Sequence, residues 1–114
     1  MALVEVVETP SYLQDAERLL SEPEREEIIY SLAANPLQGV LIKGTGGLRK
    51  MRVGLAGRGK RGGGRVIYWF HSEVAPIVLL AMFAKNEASD LSHGERKALT
   101  KLVEQLRVDY GVQK

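Results

Sequence analysis

The 114-residue sequence contains no cysteine. Neither a disulfide framework nor a thiolate metal site can therefore exist. Its opening, MALVEVVETP, carries glutamates where a signal peptide needs basic residues followed by an unbroken apolar segment. The longest apolar run, residues 74–84, includes Pro76 and is too short to cross a bilayer. The length predicts a single domain over residues 1–114. The absences predict that it resides in the cytoplasm and has no membrane partner.

Positive charge is concentrated in one part of the chain. Residues 1–35 contain eight acidic side chains against two arginines. Residues 43–65 contain no acidic residue. Cations repel one another unless a polyanion or an acidic partner neutralises them, so this segment predicts such a partner. Its cations are Lys43, Arg49, Lys50, Arg52, Arg58, Lys60, Arg61 and Arg65.

Hydrophobic periodicity predicts an α+β fold with the element order β-α-α-β-β-β-α. In this fold, the helices pack on one face of a mainly antiparallel sheet. Residues 39–47 are predicted as a loop with Val40, Leu41 and Ile42 as an apolar anchor. The predicted elements are a strand at residues 3–7, a helix from Thr9, a helix from the Ser21/Glu24 capping box to Asn35, strands at 48–53, 65–70 and 77–83, and a helix from the Ser92/Glu95 capping box.

The stretch LAGRGKRGGGR, residues 55–65, belongs to a segment that matches two nucleotide-binding patterns, G-x-x-x-x-G-K and G-x-G-x-x-G. Both patterns require a helix after the glycines, and the first also requires Ser or Thr after its lysine. Here Arg61 takes that position, and the strand-like RVIYWF follows. The stretch is better interpreted as a long glycine-rich loop between strands, which lets a polyanion approach Arg58, Lys60 and Arg61.

Three ordered segments carry a family resemblance. They are GTGGLRKMR at residues 44–52, GRGKRGGGRVIY at 57–68 and FAKNEASDLSHGERKAL at 83–99. These segments resemble HigB-type toxins, which belong to the RelE/ParE superfamily of bacterial type II toxin-antitoxin systems. The resemblance implies an endoribonuclease that cuts messenger RNA in the ribosomal A site without a metal or cofactor. It also implies a cognate antitoxin, usually with a helix-turn-helix DNA-binding domain.

The resemblance also suggests which residues act on RNA. Lys50 matches the family's lysine on its strand and is the candidate base, since Arg49, Arg52 and Arg65 disfavour a charge on it. Arg52 and Arg65 match the positions that grip the scissile phosphate. Lys85 is the candidate acid or phosphate clamp, where better-known members carry an arginine and then a tyrosine. The residues further predicted to bind RNA are Arg49, Arg58, Lys60, Arg61 and Tyr68.

Two alternative functions remain open from the sequence. A gyrase-inhibiting toxin of the ParE branch shares the fold, but Lys50, Arg52 and Arg65 together argue against it. A non-enzymatic RNA-binding module needs the cations but no base. Such a module should lose affinity when Lys50 is removed, whereas an enzyme should lose rate.

Overall fold

The computed structural model describes residues 4–55 and 63–112. The chain forms five strands and three helices within the described residues. They are β1 (Val6–Glu8), α1 (Pro10–Leu19), α2 (Glu22–Ala34), β2 (Val40–Leu41), β3 (Leu48–Val53), β4 (Gly64–Trp69), β5 (Ile77–Ala84) and α3 (His93–Asp109). No helix in this described part of the chain is long and apolar enough to cross a membrane.

The five strands form one sheet in the order β1-β5-β4-β3-β2. β1 runs parallel to β5, and every other neighbouring pair is antiparallel. This arrangement confirms the α+β class and the mainly antiparallel sheet. The predicted element order also fits, with β2 as an additional strand.

The loop predicted at residues 39–47 instead contains β2, which pairs with β3 at the edge of the sheet. Val40 is 71% exposed and Leu41 is 51% exposed, so the predicted apolar anchor is wrong for these two residues. Ile42 alone of the three packs against a core cluster. An edge strand of two residues has few neighbours to bury its side chains.

All three helices begin at side chains that were predicted as caps. The Thr9 hydroxyl accepts a hydrogen bond from the Tyr12 N–H. Ser21 and Ser92 each form a complete capping box. The serine side-chain oxygen accepts a hydrogen bond from the N–H of the third helical residue, Glu24 or Glu95, and the side chain of that glutamate accepts one from the serine N–H. These bonds satisfy N–H groups that have no partner within a helix. The local sequence therefore determines where each helix starts.

The sheet is buried on both faces. Val66 and Tyr68 of β4 point toward α1 and α2, where they pack with Tyr12, Ala16 and Leu32. Their neighbours on β4, Ile67 and Trp69, point the other way and pack with Val103 of α3. The prediction of all helices on one face is therefore wrong for α3.

A glycine-rich turn sets the start of β3. The Thr45 side chain is buried and accepts a hydrogen bond from the Leu48 N–H at 3.2 Å. Gly47 has a φ of 122°, and a Cβ on it would lie 3.2 Å from the Trp69 ring nitrogen. Glycine is therefore required here both for the backbone conformation and for the close approach to Trp69. The turn fixes which residues of β3 face each side of the sheet.

Candidate active site

β3 and β4 bring three cationic side chains to one face of the sheet. Arg52 lies directly opposite Arg65, and Lys50 lies opposite Ile67. Successive side chains in a strand alternate between faces, so Lys50 and Arg52 share a face on β3, and Arg65 and Ile67 share a face on β4. Ile67 belongs to the core beneath α3, so Lys50, Arg52 and Arg65 lie on the face of the sheet that α3 packs against. The structure thus brings together the three residues that the sequence analysis placed at the scissile phosphate.

α3 covers one end of this face and leaves the other end open. Val103 packs near Leu48 and Trp69, where β3 begins and β4 ends. The cations lie beyond the covered part and border a cleft of about 470 Å³. The lining residues are Gln38, Val40, Lys50, Met51, Arg52, Arg65 and Ser89. This cleft is large enough for part of a nucleotide chain.

Lys50 forms an ion pair that the sequence analysis did not predict. Its Nζ lies 3.1 Å from each carboxylate oxygen of Asp90, in the loop between β5 and α3. The Leu91 N–H donates to Asp90 Oδ1 at 2.8 Å, and this bond together with Lys50 lowers the pKa of Asp90 below its ordinary value. The two residues are 40 positions apart, and nothing in the local sequence indicates their contact.

A second ion pair holds the same loop to α1. The Arg18 guanidinium binds both carboxylate oxygens of Glu87, at 2.6 and 3.2 Å. The segment between β5 and α3 is therefore attached to α1 near its beginning and to β3 near its end. These two attachments place Ser89 and Asp90 at the border of the cleft.

Lys85, the candidate acid, lies just beyond the end of β5. Its backbone N–H donates to the Gly63 carbonyl at 2.9 Å, next to the first residue of β4. Its side chain is exposed but does not line the cleft. Its proposed role therefore requires the side chain to reach toward Arg65 from the edge of the site.

The structure contradicts the prediction that Tyr68 binds RNA. The residue is 0% exposed and packs in the core beneath α1 and α2. Its hydroxyl accepts from the Gly39 N–H at 2.9 Å and donates to the Pro36 carbonyl at 2.8 Å. A ring that is enclosed in this way cannot stack on a base. Tyr68 instead holds the chain between α2 and β2.

Arg49 lies opposite Tyr68 and points to the same face of the sheet, away from Lys50. Its Nη1 donates to the Gly39 carbonyl at 2.7 Å and to the Leu37 carbonyl at 3.3 Å. The prediction grouped Arg49 with the RNA-binding cations, and the structure places it apart from them. Arg49 and Tyr68 together fix the segment that supplies Gln38 to the cleft wall.

The remaining predicted RNA-binding residues, Arg58, Lys60 and Arg61, lie outside the described residues. They follow β3 and precede β4 in the chain, so they belong to the connection between the two strands that carry the site. Their contribution stays a prediction.

The cations of the cleft have a defined chemistry. Arginine binds phosphate oxygens through two parallel N–H groups, and a lysine amine can exchange a proton when it is neutral. Two paired strands hold the backbones of Lys50, Arg52 and Arg65 in fixed register. Within residues 4–55 and 63–112, no group of three His, Asp or Glu side chains could hold a metal ion. The described side chains of the site thus suit binding of a phosphodiester.

Comparisons with known proteins identify the family of the chain. A family model described as the RelE toxin of the RelE/RelB toxin-antitoxin system matches residues 32–109. The chain belongs to this family of toxins, and a RelE/ParE-type assignment is confirmed. Membership of the family implies a cognate antitoxin as a partner.

Among solved structures, the chain is similar to a mutant of the E. coli toxin RelE in the free state. The two chains are 15% identical, with a TM-score of 0.59 over 86% of this chain and 97% of that one. At this level of identity the similarity shows the fold alone. It supports the α+β fold described above.

Proposed function

We propose that the protein is an endoribonuclease of the HigB type that cuts messenger RNA on the ribosome, in the cytoplasm, and so inhibits translation. The observation that carries this proposal is the convergence of Lys50, Arg52 and Arg65 on one cleft of a RelE-family fold. A toxin that acts only by binding gyrase has no need for phosphate-binding cations at this position. The reaction requires no metal or cofactor in the proposed scheme.

In the proposed reaction, the 2′-OH of the RNA attacks the adjacent phosphorus. Lys50, as the neutral amine, takes the proton of that hydroxyl, and a bond forms between the 2′-oxygen and phosphorus. Arg52 and Arg65 bind the phosphoryl oxygens, on which negative charge increases in the transition state. The bond from phosphorus to the 5′-oxygen then breaks, and Lys85 gives that oxygen a proton. The products are a 2′,3′-cyclic phosphate and a 5′-hydroxyl.

We expect purified protein to cut naked RNA slowly and to cut messenger RNA rapidly when it is bound to ribosomes. The described cleft offers few groups for acid-base chemistry, so precise placement of the RNA must supply much of the rate. Mapping of 5′ ends after incubation with and without ribosomes measures the difference. Efficient cutting of naked RNA by nuclease-free protein would show that ribosomes are not required. A change in DNA supercoiling, with protein synthesis intact, would instead favour the gyrase-inhibiting alternative.

We further propose that the antitoxin, with a helix-turn-helix domain of its own, inhibits the toxin through an acidic segment. This segment would cover the surface that contains Lys43, Lys50, Arg52 and Arg65. Burying these cations against an apolar surface would leave their charges without partners, which is unfavourable. An acidic partner provides opposite charges instead.

Binding of the antitoxin should therefore weaken as salt concentration rises, and Arg52→Glu should weaken it further. Lys101→Glu is the matched control, because Lys101 is also an exposed cation but lies on α3 outside this surface. Titration calorimetry at several salt concentrations measures both effects. Equal losses from the two variants, or contacts confined to α1 and α2, would contradict direct coverage of the site.

A further inference from the structure

We propose that Asp90 is a positioning residue for Lys50. In the free toxin its carboxylate holds the Lys50 side chain at the cleft, and the phosphate of the RNA takes the place of that carboxylate during binding. This inference rests on the proposed function, because it assumes that the cleft receives RNA. It assigns to Asp90 a role that acts through Lys50 and not on the RNA itself.

The contact geometry supports this role. Both carboxylate oxygens of Asp90 lie 3.1 Å from Lys50 Nζ, so the carboxylate presents two oxygens to the amine as a phosphate would. The Leu91 N–H fixes the orientation of one of these oxygens at 2.8 Å. Lys50 is thereby directed to the cleft that Arg52 and Arg65 also line.

The surrounding charges determine what Asp90 does to Lys50. Arg52 faces Lys50 from β3, Arg65 faces it from β4, and Arg96 of α3 acts on the Asp90 carboxylate. The arginines of the cleft repel the Lys50 amine, whereas the Asp90 carboxylate attracts and holds it. Asp90 therefore holds the Lys50 side chain at the cleft against the repulsion of the neighbouring arginines.

RNA binding brings a second anion to this site. A phosphate in the cleft is attracted by Arg52 and Arg65, and it repels the Asp90 carboxylate. The ion pair is partly open to solvent, with 30% of the Lys50 side chain and 58% of the Asp90 side chain exposed. Ion pairs of this kind are weak enough to be exchanged for another anion. The negative charge that draws RNA to the cleft thus also releases Lys50 from Asp90.

The test uses the free protein and does not depend on cleavage. Only a neutral amine reacts with an acylating reagent, so the rate of Lys50 acylation, measured by mass spectrometry, reports how firmly the ammonium is held. Asp90→Asn keeps the size of the side chain but removes its charge. We expect Lys50 to react about two- to fivefold faster in this variant, the range expected for a partly exposed ion pair. The exposed Lys97 on α3 provides the internal reference.

Glu87→Gln is the matched control, because it weakens the other ion pair of the same loop and leaves Asp90 in place. Faster acylation in Asp90→Asn alone supports the proposal. Unchanged acylation in Asp90→Asn overturns it, as does an equal increase in both variants, which would indicate general loosening of the loop. If Asp90→Asn accelerates acylation but the parent protein cuts no RNA on ribosomes, the proposed function fails and the Lys50 contact stands. If the parent protein cuts RNA on ribosomes but Asp90→Asn does not accelerate acylation of Lys50, the proposed function stands and the role of Asp90 is wrong.

Discussion

Replacement of Lys50 or Arg65 with alanine is expected to abolish growth arrest while the protein stays folded. Lys50 supplies the base in the proposed reaction, and loss of such a group typically lowers a rate by about 10²–10⁴-fold. Arg65 supplies charge to the phosphoryl oxygens, and removal of one such donor lowers rates by about 10²–10³-fold. Growth after induction and cleavage of ribosome-bound messenger RNA measure these effects.

Arg58→Ala and Lys60→Ala are the comparison variants, because these residues belong to the connection between β3 and β4 and not to either strand. We expect them to cause graded losses that depend on salt, since several charges share the attraction for the RNA backbone. Circular dichroism and thermal melts must show that each variant is folded. If folded Lys50→Ala and Arg65→Ala proteins still arrest translation while a loop variant does not, the site on the strands is wrong.

The parts of the fold that were predicted correctly depend on local sequence. Alternation of apolar and polar residues gave the bounds of β3, and the Ser21 and Ser92 capping boxes gave the starts of α2 and α3. Each of these signals lies within a few residues of the feature that it predicts. The same alternation placed Lys50 and Arg52 on one face, which is why the centre of the candidate site could be predicted.

The sequence also contains a signal for the position of α3 on the second face of the sheet. RVIYWF and IVLLAMF are apolar at nearly every residue, so both faces of β4 and β5 require a cover. Two helices on one face leave Ile67 and Trp69 without one. A nearly continuous apolar strand therefore predicts helices on both sides of the sheet, as the structure shows.

The contacts of Asp90 and Tyr68 could not be predicted from local patterns. The partner of Asp90 is 40 positions away along the chain, and the hydroxyl of Tyr68 binds the backbone of Gly39 and Pro36. These contacts depend on how the connections between elements return to the sheet. Side-chain type indicates that a residue can bind RNA, but only the tertiary fold decides which face it reaches.

Tyr68→Phe is expected to lower the free energy of unfolding by about 1–3 kcal/mol, although the aromatic ring is kept. The buried Gly39 N–H loses its acceptor and the Pro36 carbonyl loses its donor. Burial also raises the pKa of the Tyr68 hydroxyl, as expected for a phenol without access to water. Urea denaturation followed by circular dichroism measures the change in stability.

Tyr12→Phe is the matched control, because Tyr12 is equally buried in the same core and its hydroxyl has no hydrogen-bond partner among the described residues. Removing that hydroxyl should leave stability unchanged or raise it slightly, since no bond is lost.

Burial raises the pKa of Tyr12 to about 12, with a smaller contribution from Glu8. Because the folded state keeps this proton longer than the unfolded chain, the parent should lose stability as pH rises from about 10 to about 12, and Tyr12→Phe should lose less. If Tyr68→Phe were as stable as the parent, the Tyr68 hydroxyl would not hold the segment between α2 and β2.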